Sequence, residues 1–262
     1  MKSEKKALII RVLLLIIIIV CIVQIATSYY LSIKNKKKQE NIRDILEVEK
    51  FEQEVEGIQD DESDKDMRQR YEELYSINSD LVGWLSIEGT DIDYPVVQHE
   101  DNEYYLSHDF YGNEDKYGCL FVKNFVSIDP LNTNVIIYGH SMKDGSMFGS
   151  LDEYKSERFY KQHPHISFDT LYDEGTYDVI AVFESQVYED DEDIFKYYQF
   201  YNANTEEEFS YFYDNVKKLS IYDTGVTAEY GDTFITLSTC SYHTEEGRFV
   251  VVAKLNKKQY ID

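Results

Sequence analysis

The run FITLSTCSYHTEEGRFVVVAKL, residues 234–255, places Cys240 at the end of an apolar stretch, among hydroxyls and eight residues ahead of Arg248. A second apolar run, NVIIYGHSM, ends in Gly139 and His140. These three residue types suit acyl transfer. A thiol attacks a carbonyl only as its thiolate, and a neighbouring cation lowers its pKa from about 8.5. A histidine can protonate a departing amine and later deprotonate an incoming one. An arginine can hydrogen-bond a tetrahedral oxyanion without losing its own charge. No carboxylate is evident to complete a triad of the Ser-His-Asp type, so the arginine stands as third member.

Such chemistry needs a rigid mount, and the pattern from Leu81 onward supplies one. LVGWLSIEG, DIDYPVV, GCLFVKN, NVIIYGH, HISFDTLYDEGTYDVIAVFES, FITLSTC and RFVVVAKL are short β-type runs punctuated by turns. Asp173-Glu174-Gly175 marks a hairpin turn. If FITLSTC and RFVVVAKL form a second hairpin, turning at Gly247, then Cys240 and Arg248 become cross-strand neighbours about 5 Å apart at Cβ. Gly139 is read as the break that ends its strand and leaves His140 at the edge. Two helical stretches interrupt the strands. MFGSLDEYKSERFYKQHP stops at Pro164, and TEEEFSYFYDNVKKLS opens with a capping box from Thr205 to Glu208. Many short strands with few helices predict a mostly-β barrel or sandwich. The chain's 24 tyrosines fit its strand faces.

The first forty residues carry eight Lys/Arg against two Glu, so the net charge of −24 leaves −30 on the remainder. So acidic a body disfavours nucleic acid and favours amine-bearing partners. Val12 to Ala26, with Ala7 to Ile10 ahead of Arg11, is long and apolar enough to span a bilayer. A cleaved signal peptide ending near Ala26-Thr27-Ser28 is the competing reading, and the length of the run favours an uncleaved anchor. Flanking charges match on both sides and leave orientation open. Residues 1–31 are therefore read as stub and membrane anchor, 32–66 as a charged helical stalk loosened around DDESDKD, and 67–262 as the folded domain, with a helix from Met67 to Ile77 at its start.

Cys21, Cys119 and Cys240 are too few and too scattered for a disulfide framework, and Cys119 reads as a core residue. His243, three after Cys240, tempts a zinc reading with His140, but a fourth ligand is missing. His163 and His165 flank Pro164 and read as structural. Two alternatives to a transpeptidase stay open on the residues alone. One is a thiol-dependent hydrolase, and the other is a non-catalytic, membrane-tethered surface module.

The constellation resembles the sortases, cysteine transpeptidases anchored in the membrane of Gram-positive bacteria. Thr236-Leu237-Ser238-Thr239-Cys240 is similar to their TLxTC motif, His140 to their histidine after a strand, and Arg248 to their arginine on the following strand. LYSINSDLVGWLSIEGTDIDYPVVQHEDNEYYLSHDF and the helix-bearing segment from Asp190 to Tyr222 resemble class B in particular. The resemblance implies a closed sortase β-barrel of about eight strands, with Asn102, Leu106, Tyr138 and Ser238 lining a substrate groove. Ser241, after the cysteine, carries little weight. It further implies cleavage after Thr in a C-terminal sorting signal (LPxTG- or NPxTN-like) of a surface protein, through a thioester. The acyl group would pass to an amine of a peptidoglycan precursor or of another protein. No metal or cofactor is implied. Catalysis facing the wall would put the N-terminus in the cytoplasm and the domain outside.

Overall fold

The computed structural model describes residues 2–55, 67–240 and 246–256. The chain divides into two compact units, Met1–Arg43 and Asp44–Asp262. Helix α1, Lys2–Val55, is a single rod of 54 residues, about 80 Å at 1.5 Å per residue. No Pro or Gly interrupts it, so the apolar run and the first part of the stalk are one helix rather than two elements. Every large apolar side chain from Leu8 to Ile25 is exposed. The DDESDKD stretch lies outside the described residues. The helix expected from Met67 to Ile77 comes as two pieces, α2 (Met67–Arg70) and α3 (Glu72–Ile77). The break falls at Tyr71, whose backbone leaves the helical region (φ −118°, ψ 14°) and whose ring is fully buried.

Each of the seven β-type runs forms strand. The eight strands are β1 (Leu81–Ser86), β2 (Asp93–Gln98), β3 (Leu120–Val122), β4 (Asn134–Gly139), β5 (His165–Thr170), β6 (Thr176–Gln186), β7 (Phe234–Cys240) and β8 (Gly247–Leu255). They close into a barrel in the order β1-β2-β3-β4-β7-β8-β6-β5. Pairs β2/β3 and β4/β7 are parallel and the other neighbours antiparallel. Asp173-Glu174-Gly175 sits in the β5–β6 turn, as its composition predicts.

The central strands are apolar along nearly their whole length because both of their faces are covered. In β7 the residues from Phe234 to Thr239 are all buried. Helix α5 (Glu206–Leu219) supplies the outer cover. Its Phe209, Phe212 and Val216, at i, i+3 and i+7, pack against Ile180, Phe183, Phe234, Val250 and Val252 of β6, β7 and β8. The predicted cap forms, with Thr205 Oγ1 accepting from the Glu208 amide at 3.2 Å. Glu208 turns back to the Asn204 amide (2.7 Å), one residue earlier than a capping box expects. The other predicted helix is split into a 3₁₀ turn, Leu151–Lys155, and α4, Glu157–Gln162. The split falls at Ser156, which leaves the helical region to cap α4 by accepting from the Phe159 amide.

Strands β4 and β7 run parallel and leave the barrel at the same end, and β8, antiparallel to β7, begins there. That shared end carries the site.

Candidate active site

Register alone brings the three candidate residues together at one strand end. Cys240 and Arg248 are directly paired across β7 and β8, which sets their Cβ atoms about 5 Å apart. Gly139 pairs with Thr239 across β4 and β7, so the next residues on each strand, His140 and Cys240, stand side by side at the usual interstrand spacing of about 4.8 Å. Cys240 is exposed, whereas Ser238 and Thr239 before it are buried. The thiol therefore sits where the strand emerges from the barrel. Cys119, by contrast, is buried in the core, and none of the cysteines is disulfide-bonded.

His140 is fixed by main chain on both sides. Its carbonyl accepts from the Phe148 amide at 2.9 Å. Its ring Nε2 lies 2.8 Å from the Leu106 carbonyl oxygen. A carbonyl can only accept, so Nε2 carries a proton and Nδ1 is the nitrogen left to gain or lose one. The Leu106 carbonyl thus fixes the tautomer, a task that a carboxylate performs in the Ser-His-Asp arrangement. Leu106 is aimed by the turn that holds it. Tyr104–Leu106 is a 3₁₀ turn braced by buried Tyr105, whose hydroxyl donates to Asp80 (2.9 Å) and accepts from Asn78 (2.9 Å). Gly118, at φ +59°, passes so close that a Cβ there would strike the Tyr105 carbonyl and touch the His140 ring.

The sequence-based role of Gly139 needs correction. It is the last residue of β4 rather than a break in it. A side chain there would run into Leu120 and Phe148, so glycine is required for close packing beneath His140. Gly139→Ala should cost about 1–3 kcal/mol through overpacking, read as a drop in thermal midpoint with a parallel loss of activity from a displaced imidazole. An unchanged midpoint would contradict this account. The turn residue near Arg248 is likewise not Gly247, which already belongs to β8, but Glu246 at φ 53°.

Arg248 is three-quarters buried at its side chain. Its Nη1 donates to the Glu246 (3.1 Å) and Gly247 (2.9 Å) carbonyls, and Nη2 reaches Glu246 Oε2 at 3.4 Å. Nε–H and one Nη2–H remain without a partner among the described residues. A guanidinium held by its own strand start, with donors to spare, suits a developing oxyanion.

Residues two apart on a strand share a face, so Tyr138 and Ser238 lie below His140 and Cys240 on the same side. Ser238 is buried, and its hydroxyl is engaged with Tyr197 Oη at 2.7 Å. Tyr138 stacks on Phe121 (5.5 Å) and approaches the Tyr201 hydroxyl (3.4 Å). Burial holds the Tyr138 and Tyr197 phenols protonated far above their usual range, more strongly than the Arg248 charge pulls them down. Neither is a base at working pH. Asn102 is tied to Asn124, with Asn102 Oδ1 accepting from the Asn124 amide at 2.7 Å. The Leu106 side chain is exposed.

Sequence reasoning missed Tyr197, Tyr201, Phe121 and the Lys123–Phe125 turn, which pack around Ser238 and Tyr138. Tyr197 and Tyr201 come from the segment between β6 and β7, anchored on the barrel through Asn134, which donates to the Phe200 carbonyl and accepts from Thr236. The aromatic cluster KYYQFY was the available signal. His163 and His165 serve structure, bonding the Glu88 carbonyl and Asp178. Ser241 and His243 lie outside the described residues. Among the described ones, no group of three His, Cys, Asp or Glu side chains could hold a metal ion. Two cavities of about 290 Å³ lie at the opposite strand ends, near Leu81 and Gln98 and near Thr133 and Thr233. His140, Cys240 and Arg248 line neither of them.

The family model for the sortase domain matches residues 85–256. Sortase B of Listeria monocytogenes is 35% identical over 199 residues, covering 74% of this chain and 76% of that protein. Among solved structures, a Staphylococcus aureus sortase B–substrate complex superposes with a TM-score of 0.72 at 29% identity, covering 86% of this chain and 99% of the other. A sortase B complexed with triglycine gives the same TM-score, identity and coverage.

Proposed function

The chain belongs to the sortase family and to its class B, and on that premise we propose that Cys240, His140 and Arg248 are the catalytic residues of a cysteine transpeptidase acting on C-terminal sorting signals. The Cys240 thiolate attacks the carbonyl carbon of the signal's threonine, and the resulting oxyanion takes hydrogen bonds from the spare Arg248 donors. As the C–N bond breaks, His140 Nδ1 protonates the leaving amine, and a thioester remains on Cys240. An incoming amine then attacks the thioester, gives its proton to Nδ1, and the C–S bond breaks to return the thiolate. Throughout the cycle Nε2 keeps its proton on the Leu106 carbonyl, since both imidazole and imidazolium can donate there.

The observation that carries this reading is the placement of an exposed thiol directly opposite a guanidinium, beside an imidazole whose second nitrogen is already committed. Asn102, Leu106 and Tyr138 form the groove wall, and Ser238 acts from behind it by positioning Tyr197. An amine acceptor agrees with the acidic body and with the triglycine complex of a sortase B. The amine belongs to a peptidoglycan precursor or to another protein.

Helix α1 contains one stretch long and apolar enough to cross a membrane. Its unbroken exposed apolar surface supports an uncleaved anchor, with residues 1–31 as stub and anchor, 32–66 as stalk and 67–262 as the catalytic domain. In this arrangement the N-terminus is cytoplasmic and the domain extracellular.

The test is to incubate the full-length protein in detergent with a panel of sorting-motif peptides, with and without triglycine. A transpeptidase yields a peptide cut after threonine and, with triglycine, a ligated product. Hydrolysis alone at every triglycine concentration would make it a thiol hydrolase, and no cleavage of any peptide would leave a surface module.

A further inference from the structure

Lys123 stands out in this acidic protein. Its ammonium lies 5.6 Å from the Tyr138 ring centroid and 5.9 Å from that of Phe125, both within cation–π range. The Phe125 ring in turn meets Tyr201 edge-on at 4.8 Å. Lys123 is half-buried, and among the described residues it makes no ion pair with a carboxylate, although the body around it carries a large excess of them. The next residue, Asn124, is the partner of Asn102. The Lys123–Phe125 turn therefore touches two residues of the proposed groove wall and extends that wall beyond Tyr138.

We propose that Lys123 is a specificity-determining residue that reads a carboxylate on the sorting signal, on the N-terminal side of the cleaved bond. This rests on the transpeptidase reading above and deepens it by naming the substrate class. The aromatic rings hold the ammonium in place and shield part of it from water, and they do not neutralise it. A peptide carboxylate supplies the acceptor that the fold withholds. Lys155, Lys161, Lys217 and Lys254 are met by acids. Among the described residues Lys116, Lys143 and Lys218 have no carboxylate partner but are exposed, and Lys196 donates to the Asp190 carbonyl. Lys123 is half-buried and has neither kind of partner among those residues.

The register gives the position. Phe121 pairs with Tyr138, so Lys123 stands level with Ile136, four residues back from His140. That is roughly 13 Å along the strand at about 3.3 Å per residue. An extended peptide whose threonine carbonyl sits at Cys240 brings its fifth residue, counting the threonine as first, to roughly that distance, four steps of about 3.3 Å. That residue is the one just ahead of an LPxTG- or NPxTN-like motif. The favoured signals carry Asp or Glu there.

The experiment compares kcat/KM for paired peptides that keep one cleavable sorting motif and differ only by Glu or Gln at the fifth position, using full-length protein in detergent. The Gln peptide is the internal reference for folding and chemistry. The unaltered protein should prefer Glu by roughly fivefold to tenfold, the size of a charge-assisted contact at a half-exposed site. Lys123→Gln should remove the preference and Lys123→Glu should reverse it. A merely structural lysine would shift both peptides together and leave the ratio unchanged, which would overturn the inference while leaving the transpeptidase reading intact. A preference that appears only in the aminolysis step, as a change in ligated against hydrolysed product, would assign the carboxylate to the acceptor and also overturn it. A protein that cleaves no peptide of the set overturns both.

Discussion

Cys240→Ala removes cleavage of a sorting-signal peptide, by about four orders of magnitude or more, and leaves the thermal midpoint within about 2 °C. The two halves of this expectation come from different facts. Activity falls because, among the described residues, Cys240 is the nucleophile paired with Arg248 and set beside His140 at the strand ends. Stability holds because the Cys240 side chain is exposed and fills no cavity, unlike Cys119, which is buried. Cys240→Ser sharpens the test. A hydroxyl preserves the shape of the edge but does not ionise near neutral pH, so it should be nearly as inactive as alanine. Peptide turnover and a melting curve on the same samples check both halves. Turnover within tenfold of the unaltered protein in either variant would remove Cys240 from the mechanism.

Arg248→Lys lowers kcat/KM by about 10²- to 10³-fold, the usual cost of losing one oxyanion donor. Charge is kept, so the loss isolates geometry. The guanidinium uses Nη1 to brace itself on the Glu246 and Gly247 carbonyls and one Nη2–H on Glu246 Oε2, which leaves Nε–H and the other Nη2–H for an oxyanion. A lysine has a single ammonium and cannot do both. Because the oxyanion exists only during reaction, kcat should fall while KM changes little. The fold should persist, since the side chain bonds only its own strand start. Steady-state kinetics on one peptide decide the matter. A rise in KM at constant kcat would make Arg248 a substrate-binding residue instead, and a change under threefold would leave it without a role in the reaction.

Much of this was legible in the residues. The strand runs are apolar, β-branched and bounded by turns, and such local signals survive into the fold because the barrel buries both faces of β7 and β8. The spacing of Cys240 and Arg248 around a short connection already implied a cross-strand pair, since hairpin register is a local property. Thr205 announced the start of α5 in the same way.

Other features were decided by distance in the chain. That His140 stands beside Cys240 depends on parallel pairing of β4 with β7, strands about one hundred residues apart, which no local pattern encodes. The tautomer of His140 rests on a carbonyl 34 residues earlier, and every residue has a carbonyl, so composition cannot mark this one. Gly139 showed itself in the sequence but not its purpose, because what a glycine makes room for is known only once Leu120 and Phe148 are packed against it. Sequence by itself determined the candidate groups and the strands that end in them, as both follow from residue type and short-range periodicity. Tertiary structure alone decided which nitrogen of His140 is committed, which tyrosines back Ser238 and Tyr138, and that Lys123 lies over the Tyr138 ring, because each of these is a contact between segments that the chain keeps far apart.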